Sequence, residues 1–287
     1  IFFLIICPYL LSNDVYPKTI QLIYSPSISV GYVFISNLIA SIITFIILCK
    51  DIKLNITLPD YYIFKKMILY AWPILIAGVA FIINETGDKI LIKYLMPKAI
   101  AMRELGIYSA CYKLTIFMTL FVQAYRFAAE PFFFNQFKGP NAKAVYSLMM
   151  EVFVLFALWI FLFVVLYIDI IKLIIPNPLY HEGVKIIPIV LLANIFLGIY
   201  YNLSVWYKVT NRTEYAAIIS CFGAFITICL NIVLVPALGY MGAAWATLIC
   251  YVSMTMGSFY YGQRYYKIKY NISIIFKYFL IAMSLFF

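Results

Sequence analysis

Between Met67 and Pro131 the sequence places ionisable side chains where an apolar helix has little use for them. An uncharged run, 67–84, continues in helical pattern into Glu85, Asp88, Lys89 and Lys93. At 100° per residue these four fall within about 140° of arc and share one helix face. A second apolar run, 105–125, encloses Lys113 and ends in Arg126, Glu130 and Pro131. An ionisable group at membrane depth costs roughly 2.5–3.5 kcal/mol on insertion scales, so such groups face a protein interior or a wet cavity. The chemistry on offer is of two kinds. Lys89, Lys93, Lys113 and Arg126 can surround an anion, because Coulomb attraction is less screened there than in water. Glu85, Asp88 and Glu130 can load and release a proton or a sodium ion, since burial disfavours the charged carboxylate. The plain alternatives are salt-bridge partners for the acids, an i,i+4 pair between Glu85 and Lys89, and a membrane-interface anchor for Arg126.

The elements that must hold these groups are membrane helices. Hydrophobic residues make up 66% of the 287-residue chain, charged residues 11%, and the mean hydropathy is +1.00. Soluble domains average ~45–50% apolar and ~25% charged, and a water-soluble globule cannot hide this much apolar surface. Long alternating apolar and polar segments are missing, which favours an all-α helical bundle over a β-barrel. With ~20 apolar residues per crossing, the expected spans are 1–11 (partial), 30–49, 67–92, 105–125, 147–168, 186–207, 215–236, 241–261 and 274–287 (partial). The chain opens on Ile1 and closes on Phe287 inside apolar runs, as a piece of a longer protein would. Segment 1–11 has neither the basic flank nor the small-residue site of a signal peptide.

Charge alternates along the connecting loops. Loops 50–66, 126–146, 208–214 and 262–273 carry twelve Lys and Arg, and the opposite set carries six. The positive-inside rule makes the first set cytoplasmic and accounts for most of the net charge of +10 without nucleic acid. The outward stretch 85–103 breaks the rule. No loop is long enough for an extramembrane catalytic domain, which speaks against an enzyme. The six cysteines form no C-x-x-C, and His181 is a lone loop histidine, so small packing residues account for the thiols better than disulfides or zinc. No metal or cofactor is implied. A short echo links Gly31, Phe34 and Ser36 with Gly242, Trp245 and Thr247, 211 residues apart, which fits a parallel duplication of six-helix halves.

Tyr70-Ala-Trp-Pro73, the run from Asp88 to Leu95, and Gly106-Ile-Tyr108 onward to Lys113 resemble the opening of the second lobe of polysaccharide-biosynthesis exporters. Arg126-Phe-Ala-Ala-Glu130-Pro131 is similar to the end of that lobe's second helix in Bacteroidetes-like members. Trp206-Tyr-Lys208 and Gly239-Tyr-Met-Gly242 through Thr247 also look like theirs. The family is that of O-antigen-type oligosaccharide flippases, in the multidrug/oligosaccharidyl-lipid/polysaccharide exporter superfamily. The resemblance implies a two-lobed transporter fold, with 1–66 ending the first lobe, 67–261 forming the second and 262–287 starting a further helix. It also implies a multi-pass protein of the bacterial cytoplasmic membrane that translocates an undecaprenyl-diphosphate-linked oligosaccharide by alternating access. Its partners would be that lipid-linked glycan, the bilayer, and a polysaccharide polymerase or glycosyltransferases. Lys89, Lys93, Lys113 and Arg126 would then meet the diphosphate, and Glu85, Asp88 and Glu130 would couple an ion. Pro73, Gly78 and Pro131 would let helices flex. Two rivals stand beside this: a cation-extruding multidrug antiporter of the same superfamily, and a membrane glycan polymerase or ligase.

Overall fold

In a computed structural model, described for residues 31–49, 60–137, 139 and 141–286, the protein is all-helical, with no strand among those residues. The expected partial span 1–11, loop 12–29, residues 50–59 and Lys138 lie outside the described residues. The chain divides into two units, Ile1–Asp60 and Tyr61–Phe287. Of the first unit the described part is one helix, α1 (Gly31–Cys49).

The second unit is a bundle. Its elements are α2 (Tyr61–Leu95), α3 (Lys98–Leu114), α4 (Ile116–Gln136), α5 (Ala142–Leu166), the short α6 (Ile168–Ile171), α7 (Ile187–Leu203), the short α8 (Val205–Val209), α9 (Glu214–Leu238), α10 (Tyr240–Tyr265) and α11 (Ile272–Phe286). Two 3₁₀ segments, Lys172–Ile174 and Pro178–Ile186, join α6 to α7. Among the described residues, five helices are long and apolar enough to cross a membrane, and the bent pair α3–α4 makes a sixth. That is the pattern of a multi-pass membrane protein. Large apolar side chains point outward along these helices, with Trp159 left 71% exposed and Phe127 72%. In lipid such a surface is at no disadvantage, whereas water would penalise it by roughly 25 cal/mol per Å².

Three differences from the expected spans have physical causes. The expected span 105–125 is not one helix. It belongs to two, α3 and α4, that meet at 55° around Thr115. There the Thr115 hydroxyl donates to the Tyr112 carbonyl at 2.7 Å and its own N–H turns to the same oxygen at 3.1 Å, tightening the ladder to i→i−3. The expected span 186–207 is present as one crossing segment, Pro178–Val209, longer than expected and made of the second 3₁₀ run, α7 and α8 in succession. Finally, α10, expected as a span over 241–261, falls short of the apolarity of a crossing helix. It packs between α7 and α9, so protein covers much of it and small or polar residues such as Gly242, Ala243, Thr247 and Ser258 fill its buried side.

The connections gather at two ends of the bundle. At one end Phe137 meets Tyr266, the Lys143 ammonium sits 4.9 Å over the Tyr266 ring, and the Thr213 hydroxyl donates to the Tyr70 carbonyl at 3.3 Å. This is the cationic end. At the other, Arg103 pairs with Glu182 at 2.7 Å, and the Glu104 carboxylate accepts from the Tyr240 backbone N–H at 3.1 Å, holding the start of α3 to the start of α10. The turn before Tyr240 needs Gly239, which sits at φ +60°. A main core of buried side chains, including Tyr108, Met118, Phe153, Phe161, Leu191 and Ile195, fills the space between α3, α4, α5 and α7.

Candidate functional site

Helix α2 packs against α3 and α9, whereas α4, swung away by the bend at Thr115, packs against α5 and α7. The two runs singled out by their charges therefore touch at the opposite end and part toward the cationic end. Between them lies a groove of about 170 Å³, walled by Ile74, Gly78 and Phe81 of α2 and by Arg126 of α4. Tyr200, Tyr201, Ser204, Lys208 and Ser220 complete it. Gly78 matters here for its missing side chain, since an added Cβ would meet nothing within 4 Å.

Arg126 lies with its guanidinium 4.9 Å from the centre of the Tyr201 ring, and Nη1 donates to the Tyr201 hydroxyl at 3.4 Å. A cation over an aromatic face is held electrostatically by the ring while its outer N–H groups stay available. Lys208 reaches from α8 to Glu130 of α4 at 2.6 Å, both side chains partly exposed. Arg126, Glu130, Tyr201 and Lys208 also line a small adjoining recess. Behind the groove the Tyr200 hydroxyl lies 3.2 Å from that of Tyr207 and 3.5 Å from Ser220 Oγ. An anion-sized space edged by an arginine, a lysine and several hydroxyls can bind phosphate oxygens and sugar hydroxyls together.

Further toward the opposite end, the interior turns into a sealed polar stack. Asp88 is 1% exposed and accepts a hydrogen bond from the Tyr108 hydroxyl. One turn earlier on α2, Asn84 donates to the Ser220 carbonyl at 3.3 Å and accepts from the Thr227 hydroxyl at 3.2 Å. One turn beyond Thr227 on α9, Asn231 donates to the Thr227 carbonyl at 2.7 Å, and its Oδ1 has no partner among the described residues. The Tyr251 hydroxyl is likewise buried, with no partner among them. Next to the stack, Lys89 Nζ sits 4.3 Å over the Tyr112 ring and donates to the Glu85 backbone carbonyl at 3.4 Å. Glu85 is half-buried and within electrostatic range of both the Tyr112 and the Tyr201 phenols.

The chain matches no protein-family model, no curated protein and no solved structure.

The structure thus separates the residues that the sequence grouped. Arg126 lines the groove; Lys89 is half-buried against Tyr112 but does not line the groove, and Lys93 and Lys113 take exposed positions outside it. Lys93 lies 5.5 Å over the neighbouring Tyr94 ring. Lys113 precedes the bend at Thr115 and Arg126 follows it, and α3 presents Tyr108 and Tyr112 to the interior in place of Lys113. The i,i+4 pair of Glu85 and Lys89 is not among the ion pairs of the described residues, because Lys89 turns to a ring and a carbonyl. Glu130 is paired and Asp88 buried, so the three candidate acids have three different environments. Pro73 lies inside α2 and Pro131 inside α4. Tyr201, Asn84, Thr227 and Asn231 are not among the expected site residues, and Lys208 stands only as a loop cation and as part of the Trp206-Tyr-Lys208 motif. The signal for the first four was an uncharged polar side chain in an apolar run. The partnership of Lys208 with Glu130, 78 residues apart, had none.

Proposed function

We propose that the second unit is one lobe of a transporter that moves an anionic, lipid-linked glycan across the bacterial cytoplasmic membrane. The reading is a flippase for an undecaprenyl-diphosphate-linked oligosaccharide, working by alternating access from the cytoplasmic to the outer leaflet, and not an enzyme. The observation that carries it is the groove between α2 and α4, with Arg126 stacked on Tyr201 and Lys208 at its edge. A diphosphate cannot cross hydrocarbon bare, and this groove offers paired cations, phenols for sugar hydroxyls and flat rings for sugar faces. The superfamily resemblance of the sequence points the same way. Arg126→Gln is the direct test: in cells lacking the wild-type protein, the variant should insert normally while glycan export falls about tenfold, the worth of one charge-assisted contact. Lipid-linked glycan should accumulate on the cytoplasmic face. Undiminished export removes the groove from the path.

A second reading has one observation in its favour. The sealed carboxylate of Asp88, with Asn84, Thr227 and Asn231 stacked beside it, is the kind of site a coupling ion uses. A cation-extruding multidrug antiporter would need such a site as its centre, whereas a flippase would need it only as the drive. Depletion of the protein separates them, since the antiporter predicts a fall in dye efflux and no stalled glycan.

A further inference from the structure

A larger cavity, about 890 Å³, lies apart from the groove and shares no residue with it. This is at the upper end of the ~300–1,000 Å³ typical of small-molecule sites. Met150 of α5, Leu203 of α7, Met256 and Phe259 of α10, and Ile275 of α11 give it apolar walls, and Arg264 stands at one end. From Thr255 to Arg264 along α10 is nine residues, about 14 Å by helical rise. That is roughly half of the ~30 Å hydrocarbon core, the depth of one leaflet. The apolar walls therefore run through one leaflet and stop where a headgroup would begin.

The charges at that point are one-sided. Arg264 is exposed and lies 5.9 Å from the ring of its neighbour Tyr265, with no ion-pair partner among the described residues. Lys267 and Lys269 follow on the linker to α11, both exposed, and no acid lines the cavity. The linker is held in place by Gln263, which donates to the Ile268 carbonyl at 2.7 Å. A neutral lipid would fill the walls and leave three cations idle. A second copy of the chain, related by a two-fold axis, would bring its own Arg264, Lys267 and Lys269 to the same rim, where like charges repel.

We infer that this larger cavity holds one anionic phospholipid of the leaflet at the cationic end, with its acyl chains along α10 and its phosphate on Arg264. The inference needs only the multi-pass membrane character of the protein, not the transported cargo. The test uses the full chain purified in mild detergent, stripped of lipid, and offered phosphatidylglycerol or phosphatidylcholine in equal amounts. Bound lipid is counted by native mass spectrometry. The wild-type chain should retain phosphatidylglycerol about tenfold better than phosphatidylcholine, and Arg264→Gln should bring the two within about twofold. Met256→Trp, at an exposed position that fills the cavity without changing charge, should lower retention of both. Equal retention of the two lipids by the wild-type chain overturns the inference. So does retention that neither variant changes, or a lipid-free dimer in the same preparation.

Discussion

At Asp88 the interior of the lobe is most exacting. A carboxylate that is 1% exposed depends on whatever donates to it, and here the Lys89 backbone N–H donates to Oδ1 at 2.7 Å and the Tyr108 hydroxyl to Oδ2. Tyr108→Phe keeps the ring and removes only the hydroxyl, so it leaves Oδ2 buried and unsatisfied, at a cost of about 1–3 kcal/mol. A lowered Tm in detergent should reveal it, and an unchanged Tm would mean that the Lys89 N–H alone suffices for the carboxylate. Gly78 offers the opposite experiment. Because a Cβ there meets nothing within 4 Å, Gly78→Phe should occupy the groove and leave the Tm within about 0.5 kcal/mol equivalent of wild type, while transport fails. Of this residue-level detail the sequence displayed one half. Charges in an apolar run announce themselves, which is why Asp88 and Arg126 could be singled out. Their partners could not, since Tyr108, Tyr201 and Lys208 are ordinary residues until folding brings them within reach. Lys113 misleads for the same reason, as the apolar residues around it do not reveal which way one turn of helix will face.

Helix positions were the most legible feature, and helix continuity the least. Every described apolar run appears as helix, because ~20 uninterrupted apolar residues have few other fates in lipid, although α2, the α3–α4 pair and Pro178–Val209 each begin six or more residues before the expected bound. The break at Thr115 turns on a single hydroxyl competing for a backbone carbonyl, a choice that hydropathy does not register. How closely helices approach is also set by single atoms. A Cβ on Gly198 would lie 2.0 Å from the Phe153 ring where α5 crosses α7, whereas one on Gly257 would meet nothing within 4 Å. Gly198→Ala should therefore destabilise the lobe by about 1–3 kcal/mol through overpacking, and Gly257→Ala should be neutral or slightly stabilising. Thermal unfolding of the two variants side by side decides whether the α5–α7 crossing is as tight as described.

For the whole molecule the sequence supplied an orientation before any coordinates. By the positive-inside rule, twelve Lys and Arg on one set of loops against six on the other predict that the cationic end, and with it the mouth of the groove, faces the cytoplasm. In a background without native cysteines, Lys267→Cys should react with a membrane-impermeant maleimide only after the cells are opened. Asn177→Cys, in the stretch between α6 and α7, should react in intact cells. The reverse pattern would invert the direction of transport. Composition made the membrane character plain, but the relation between the two units of the chain was never written in local patterns.

The clasp formed by Glu104 and Tyr240 at the far end of the bundle has a consequence for motion. It pins the rod whose other arm, beyond Thr115, forms one bank of the groove. A lever fixed at one tip and jointed at its middle swings only at the free tip. Rearrangement of the mouth would leave the chamber around Asp88 closed, and a change at the groove would reach it through Ser220, which lines the groove and accepts from Asn84 of the stack.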